Sequence, residues 1–314
     1  MPASIWKDYV VSFGNVAEAD YSIYVGSDQI FSGHAVRRPD EAQLTVRIND
    51  VCADYLAHVL PSVTALTAVN DPAAVTFTVK NGSGTTIDTV QFVADWSFDH
   101  GHSVSVLADP VNGRVSAAQA LVASVLSTSA VSATLTYRNG TTATVTASNA
   151  GGPLQAVTIP LASYSNLASV TVNGKTYTVV PACARYALLY VNAFGGWDTL
   201  LMEGRSSEVD GYDRHLMEQR YDNGTRSARG TVEYANEVQR AWTLRTGWLS
   251  DAQAARMHHA LGSTHAYLYD ITGGYALPVV VTDTECQYKT YRGNGGQLVN
   301  YTLDVRLAQS MARR

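Results

Sequence analysis

SATLTYRNGTTATVTAS, running from Ser132 to Ser148, is the stretch that decides the fold. Ala133, Leu135 and Tyr137 alternate with Ser and Thr before Asn139-Gly140, and Ala143, Val145 and Ala147 alternate with Thr after it. A period of two puts successive side chains on opposite faces, so each arm reads as a half-buried strand. Asn-Gly is the preferred pair for a tight hairpin because both residues tolerate positive φ.

The same dipeptide recurs at Asn81, Asn112, Asn173, Asn223 and Asn294. ASVTVNGKTYTVV (Ala168 to Val180) repeats the hairpin, and VTFTVKNGSGTTIDTVQFVADW (Val75 to Trp96) predicts a third with a longer Gly/Ser tip. Three hairpins between about Thr64 and Val180 predict an all-β sandwich, Ig-like in kind. Upstream, Tyr21 to Leu56 reads as a β-meander: strand, Gly-Ser turn, strand, polar loop with Pro39, third strand. From about Ala184 the aromatic and charged residues gather, and the order becomes strand, loop, strand, helix, then three strands.

The expected class is therefore mainly β and multi-domain. Residues 1–62 form an amino-terminal β-meander, 63–182 a β-sandwich domain, and 183–314 a carboxy-terminal β-sheet domain with one covering α-helix at 250–261. The sequence equally allows residues 1–60 and 184–314 to share one core, with the sandwich inserted between them.

Ser250 and Gln253 have the spacing of a capping box, and Gly262 is positioned to stop the helix in the left-handed conformation. Ala254, Met257, His258 and Leu261 fall on one helical face, which predicts His258 buried and His259 outward. Adjacent helical residues diverge by about 100°, so the two histidines cannot chelate one ion as an i, i+4 pair does.

Composition narrows the function classes. The chain has 314 residues, 46% hydrophobic and only 16% charged, with a formal net charge of -5 and no Lys/Arg cluster. A basic stripe is what neutralises phosphates, so nucleic acid is not an expected partner. Cys52, Cys183 and Cys286 are widely spaced, with no CxxC, and read as reduced thiols. The segment Ala118 to Leu135 carries Gln, Ser and Thr throughout and reads as buried sheet, so no membrane is expected. The amino terminus lacks the pattern of a secretory signal, which predicts synthesis in a cytoplasm. The sequons at Asn81, Asn139, Asn223 and Asn300 are read without sugar, the first three as turns.

Asp99, His100 and His102 in DHGH are the candidate ligands for a loop metal site, with no further ligand in view. The chain has no GxxxxGK[ST], GxGxxG after a strand, GxSxG or kinase signature. No catalytic residue and no cofactor are expected.

VNAFGGWDTLLMEG (Val191 to Gly204), FVADWSFD (Phe92 to Asp99) and the AYLYD run ending at Asp270 carry a likeness to a known group. With RAWTLRTGWL before the helix and YKTY beyond it, this order resembles bacteriophage tail proteins, specifically structural proteins of phages and prophages of gut bacteria. The resemblance touches all three regions and is strongest from about Cys183 onward. It implies a distal-tail-like or baseplate protein: a virion component that self-assembles into a ring and contacts other virion proteins. Interface candidates are the glycine-rich loop Phe194, Gly195, Gly196, Trp197 and Asp198, expected to be exposed, and Arg256 on the outer helix face. The alternatives are a capsid, neck or head-fibre component, and a carbohydrate-binding or adhesin-like module stacking sugars on Trp96, Trp197 and Tyr212.

Overall fold

The computed structural model describes residues 1–97, 104, 107–109, 111–148, 151–181, 183–218, 231–283, 298–309 and 311–313. It is mainly β, built from several sheets and a few short helices. Two compact units divide the chain: residues 1–182 with 189–199, and residues 183–188 with 200–314.

The first unit holds two bodies of sheet. A five-stranded sheet has the order Ala3–Ser4, Thr86–Val93, Ala74–Asn81, Glu18–Val25, Asp28–Val36. Its core contains Ile23, Phe77, Val79 and Phe92, with Ile48 and Cys52 from around the short helix Asn49–Ala53. The third strand of the predicted meander, Thr45–Arg47, leaves this sheet and pairs with Val10–Ser12.

The sandwich is the second body. A three-stranded sheet of Ala120–Leu126, Leu154–Pro160 and Thr67–Asn70 shares one core with a five-stranded sheet. The latter has the order Thr142–Ala147, Val131–Tyr137, Leu167–Val172, Lys175–Val180, Gly113–Ser116. Leu121 and Ile159 of the first meet Leu135, Val170 and Tyr177 of the second. As read from the sequence, Ala118 to Leu135 is buried sheet at Ala120–Leu126, and no helix is long and apolar enough to cross a membrane among the described residues.

The two Asn-Gly hairpins of the sandwich turn differently. Asn173 and Gly174 both take positive φ, at 50° and 77°, the two-residue turn the dipeptide favours. At Asn139-Gly140 only the glycine does, at 82°, and Tyr137 N–H donates to Thr141 O across a longer loop.

The structure draws the domain division elsewhere than 62/63. Ala74–Asn81 pairs with Glu18–Val25, so the third hairpin completes the amino-terminal sheet and not the sandwich. Residues 1–60 accordingly find their core within the first unit, not in one shared with 184–314.

The second unit is a single sheet with the order Trp197–Met202, Tyr186–Val191, Ala266–Asp270, Tyr275–Val281, Thr302–Leu307, Thr231–Arg245, Ser207–Glu218; Met311–Arg313 also pairs with Thr231–Arg245. Leu189–Thr199, the tip of its first hairpin, belongs to the first unit. Trp242 and Leu244 on one strand, and Leu303 and Val305 on the next, bury one face of the sheet.

The helix is capped as read: Ser250 Oγ accepts from Gln253 N, and Gln253 accepts from Ser250 N. It is not continuous, however, but splits into Asp251–Ala254 and Met257–Leu261, with Arg256 at φ -97° and ψ 1° between them. Arg256 N and His259 N bond three residues back, tightening the turn to a 3₁₀ pattern. The buried set becomes Ala254, Met257, His259 and Ala260, so the histidines exchange roles: His259 is buried, and His258 lies nearer the surface with Nδ1 at 3.0 Å from Ala255 O. Gly262 stays right-handed at φ -83°.

Burial separates the two described cysteines. Cys52 lies in the amino-terminal core, where desolvation pushes its thiol up to about 12, while Cys183 is exposed. Because the thiolate is the nucleophile, native alkylation followed by peptide mapping should modify Cys183 and leave Cys52 unlabelled until the chain is denatured.

Candidate functional site

The loop Phe194 to Asp198 is buried, contrary to the exposure its glycines suggest. Asn192 organises it: Oδ1 accepts from Phe194 N at 3.0 Å and Gly196 N at 3.1 Å, and Nδ2 donates to Leu107 O at 2.9 Å. Gly195 sits at φ +81°, and a Cβ there would stand 2.8 Å from Ala94 O. One at Gly196 would stand 2.5 Å from Leu107 O. The glycines serve close backbone approach inside the first unit.

Trp197 and Asp198 carry this tip into two polar clusters. The indole Nε1 donates to Asp71 Oδ2 at 3.0 Å, and Trp197 N donates to Ser124 Oγ at 2.8 Å. Asp71 is also met by Ala73 N and faces His58 Nδ1 at 3.4 Å; the His58 ring lies edge-on to Trp197. Asp198 pairs with Lys175 through one oxygen and accepts from Tyr177 OH at 3.0 Å and Thr199 N at 2.8 Å through the other. Burial, then the Asp198 carboxylate, holds the Tyr177 phenol well above its ordinary value, so it remains a donor.

These are buried groups with their hydrogen bonds in place. The loop is corrected from an exposed interface element to an internal tie. Arg256, the other interface candidate, is partly exposed at the break in the helix. Asp99, His100 and His102 lie outside the described residues, and among the described residues no group of three or more potential ligands could hold a metal. Of the three aromatic rings offered as a sugar platform, Trp197 is buried, Trp96 half-buried and only Tyr212 exposed.

What sequence reading missed is a β-ribbon in the second unit, formed by Ser207–Glu218 and Thr231–Arg245. Ser207–Glu218 closes the sheet and, among the described residues, has no strand on its outer side. Val209 (61%), Tyr212 (58%), Leu216 (60%), Met217 (48%) and Tyr234 (62%) are exposed on it. Charges lie among them: Arg240 binds Asp210 at 2.7 and 3.1 Å and Glu208 at 3.2 Å, and Arg214 is 3.5 Å from Glu233. The Arg240 guanidinium holds the Asp210 carboxyl below its usual range. The available signal was SEVDGYDRHLME itself, which alternates without giving either face an apolar majority, the mark of a strand wet on both sides.

Beside the ribbon the sheet's open face forms a shallow groove of about 390 Å³, with Gly211, Gln239, Ala241, Asp304 and Arg306 in its lining and no histidine or cysteine. Comparisons with family models, curated proteins and solved structures find no match to this chain.

The internal tie gives a quantitative expectation. Asp198→Ala strands the Lys175 ammonium in the interior and should cost about 3–5 kcal/mol in chemical denaturation, whereas replacing Lys175 as well by an apolar residue should recover only part of the loss, because Tyr177 OH and Thr199 N–H still lack their acceptor.

Proposed function

We propose that this chain is a bacteriophage virion structural protein, a component of the tail or baseplate that acts by self-assembly and by contacts with other virion proteins. The observation that carries the reading is the ribbon Ser207–Glu218 with Thr231–Arg245: an edge strand 12 residues long that no other strand covers among the described residues, with large apolar side chains exposed along it. Exposed apolar groups beside an open edge are the physical form of a surface awaiting a partner. A low charge content and strands rich in Thr, Val and Tyr suit a subunit whose surfaces are covered in an assembly.

The likeness of Val191–Gly204, Phe92–Asp99 and the AYLYD run to phage tail proteins supports the tail as the location. The reading as a sugar-binding module is weakened by the burial of Trp197, which removes one of its three stacking rings.

Immunogold labelling of purified particles with antibody to this chain tests the proposal. Gold at the tail tip is the expected outcome. Gold at the neck or capsid would keep the structural class and overturn the tail assignment, and chain found only free in the lysate would overturn the virion reading.

A further inference from the structure

We infer that the outer edge of Ser207–Glu218 binds the same edge of a second copy, antiparallel, across a two-fold axis at Tyr212. This rests on the proposed role of the ribbon in assembly and names its partner. An edge strand can add a strand from another chain, and its side chains then decide which.

The register follows from geometry and charge. A two-fold axis that sets one edge antiparallel to its copy stands perpendicular to the sheet and keeps each face on its own side. Residue i must then oppose a residue of the same face, so the paired numbers differ by an even amount. Alternation along Ser207–Glu218 is unbroken, because the irregularity near His215 places the extra residue, Tyr234, on the other strand.

With Tyr212 on the axis, Tyr212 opposes Tyr212, Asp210 opposes Arg214 twice, and Glu208 opposes Leu216. Moving the axis to Asp213 sets Asp213 against itself and Glu208 against Glu218. Moving it to Arg214 sets two guanidinium groups together and Asp210 against Glu218. Moving it to Gly211 keeps an opposite-charge pair, Glu208 with Arg214, but puts glycine against glycine on the axis and sets Tyr212 against Asp210 and Val209 against Asp213. Like charges destabilise directly opposed positions and disfavour the Asp213 and Arg214 axes; between Gly211 and Tyr212 the aromatic pair on the axis, with Asp210 and Arg214 joining ion pairs already present in each chain, selects Tyr212.

The intrachain partners extend the same pattern. Arg240 already binds Asp210, and Glu233 lies beside Arg214, so pairing produces the alternating row Arg240, Asp210, Arg214 of the second copy, Glu233 of the second copy. A carboxylate offers about four acceptor sites and a guanidinium five donors, so each group can serve both neighbours. Val209, Leu216 and Met217, all exposed in the single chain, lie along the strand that the second copy covers.

The full chain with Cys183 and Cys286 replaced by serine provides the test. In sedimentation velocity over a dilution series it should form a dimer, and Tyr212→Arg, which sets two cations on the axis, should weaken that dimer by about tenfold or more. Tyr212→Cys should give a 212–212 disulfide dimer under mild oxidation, seen as a linked peptide by mass spectrometry, while Asp213→Cys should not. A chain that stays monomeric throughout, a dimer indifferent to Tyr212→Arg, or cross-linking at 213 in place of 212 would each overturn the inference. A monomer that labels the virion overturns this pairing alone; a dimer absent from virions overturns the assembly role alone.

Discussion

The buried carboxylates Asp71 and Asp198 are the constraint on which the first unit turns. Each is removed from water, and each is tolerated because distant and neighbouring donors converge on it: the Trp197 indole and the nearby Ala73 N–H on Asp71, Lys175, Tyr177 and the adjacent Thr199 N–H on Asp198. A buried charge without partners costs several kcal/mol, so these contacts are obligatory once the tip is inside. They bind the tip of the Tyr186–Met202 hairpin to sandwich strands at Ser124, Lys175 and Tyr177. The glycines at 195 and 196 let the backbone come close enough for the donors to reach. Sequence, turn geometry and electrostatics therefore act at one place.

That dependence explains what could be read in the chain beforehand. Local rules suffice where the stabilising partner is near in sequence: the hairpin at Asn173-Gly174 and the capping box at Ser250 are set by neighbours within a few residues. They fail where the partner is distant. GGWD looks like an exposed turn until Asp71, Leu107 and Lys175 are brought to it from 23 to 126 residues away. The helix failed for a subtler reason. An ideal period of 3.6 buries His258, but two i to i-3 bonds shorten the turn and bury His259 instead. Alternation predicts the hairpin at Ala74–Val93 but not its sheet, because it fixes which face is buried and not which strand lies alongside.

The ribbon of the second unit presents the opposite condition. Where the tip at Asn192–Asp198 is enclosed and its polar groups have partners, Ser207–Glu218 leaves one edge open and carries large apolar groups in solvent. Its ion pairs, Arg240 with Asp210 and Arg214 with Glu233, are exposed and contribute little to stability in water. Their value is in specifying an alignment: a row of alternating charges discriminates between registers that backbone hydrogen bonding alone leaves nearly equal.

Discrimination of that kind also settles how far association can proceed. Pairing across a two-fold axis uses the same edge on both copies, so neither dimer end offers another Ser207–Glu218 edge and growth through this contact stops at two. An open strand edge is ordinarily an aggregation hazard; self-complementary charges convert it into a contact that closes. A ring built from such a chain must then use a second, heterologous surface, and rings joined through the ribbons would carry dihedral symmetry. The proposed edge pairing and a ring would make separate demands on the surface of the chain, apart from the core that Asp71 and Asp198 hold together.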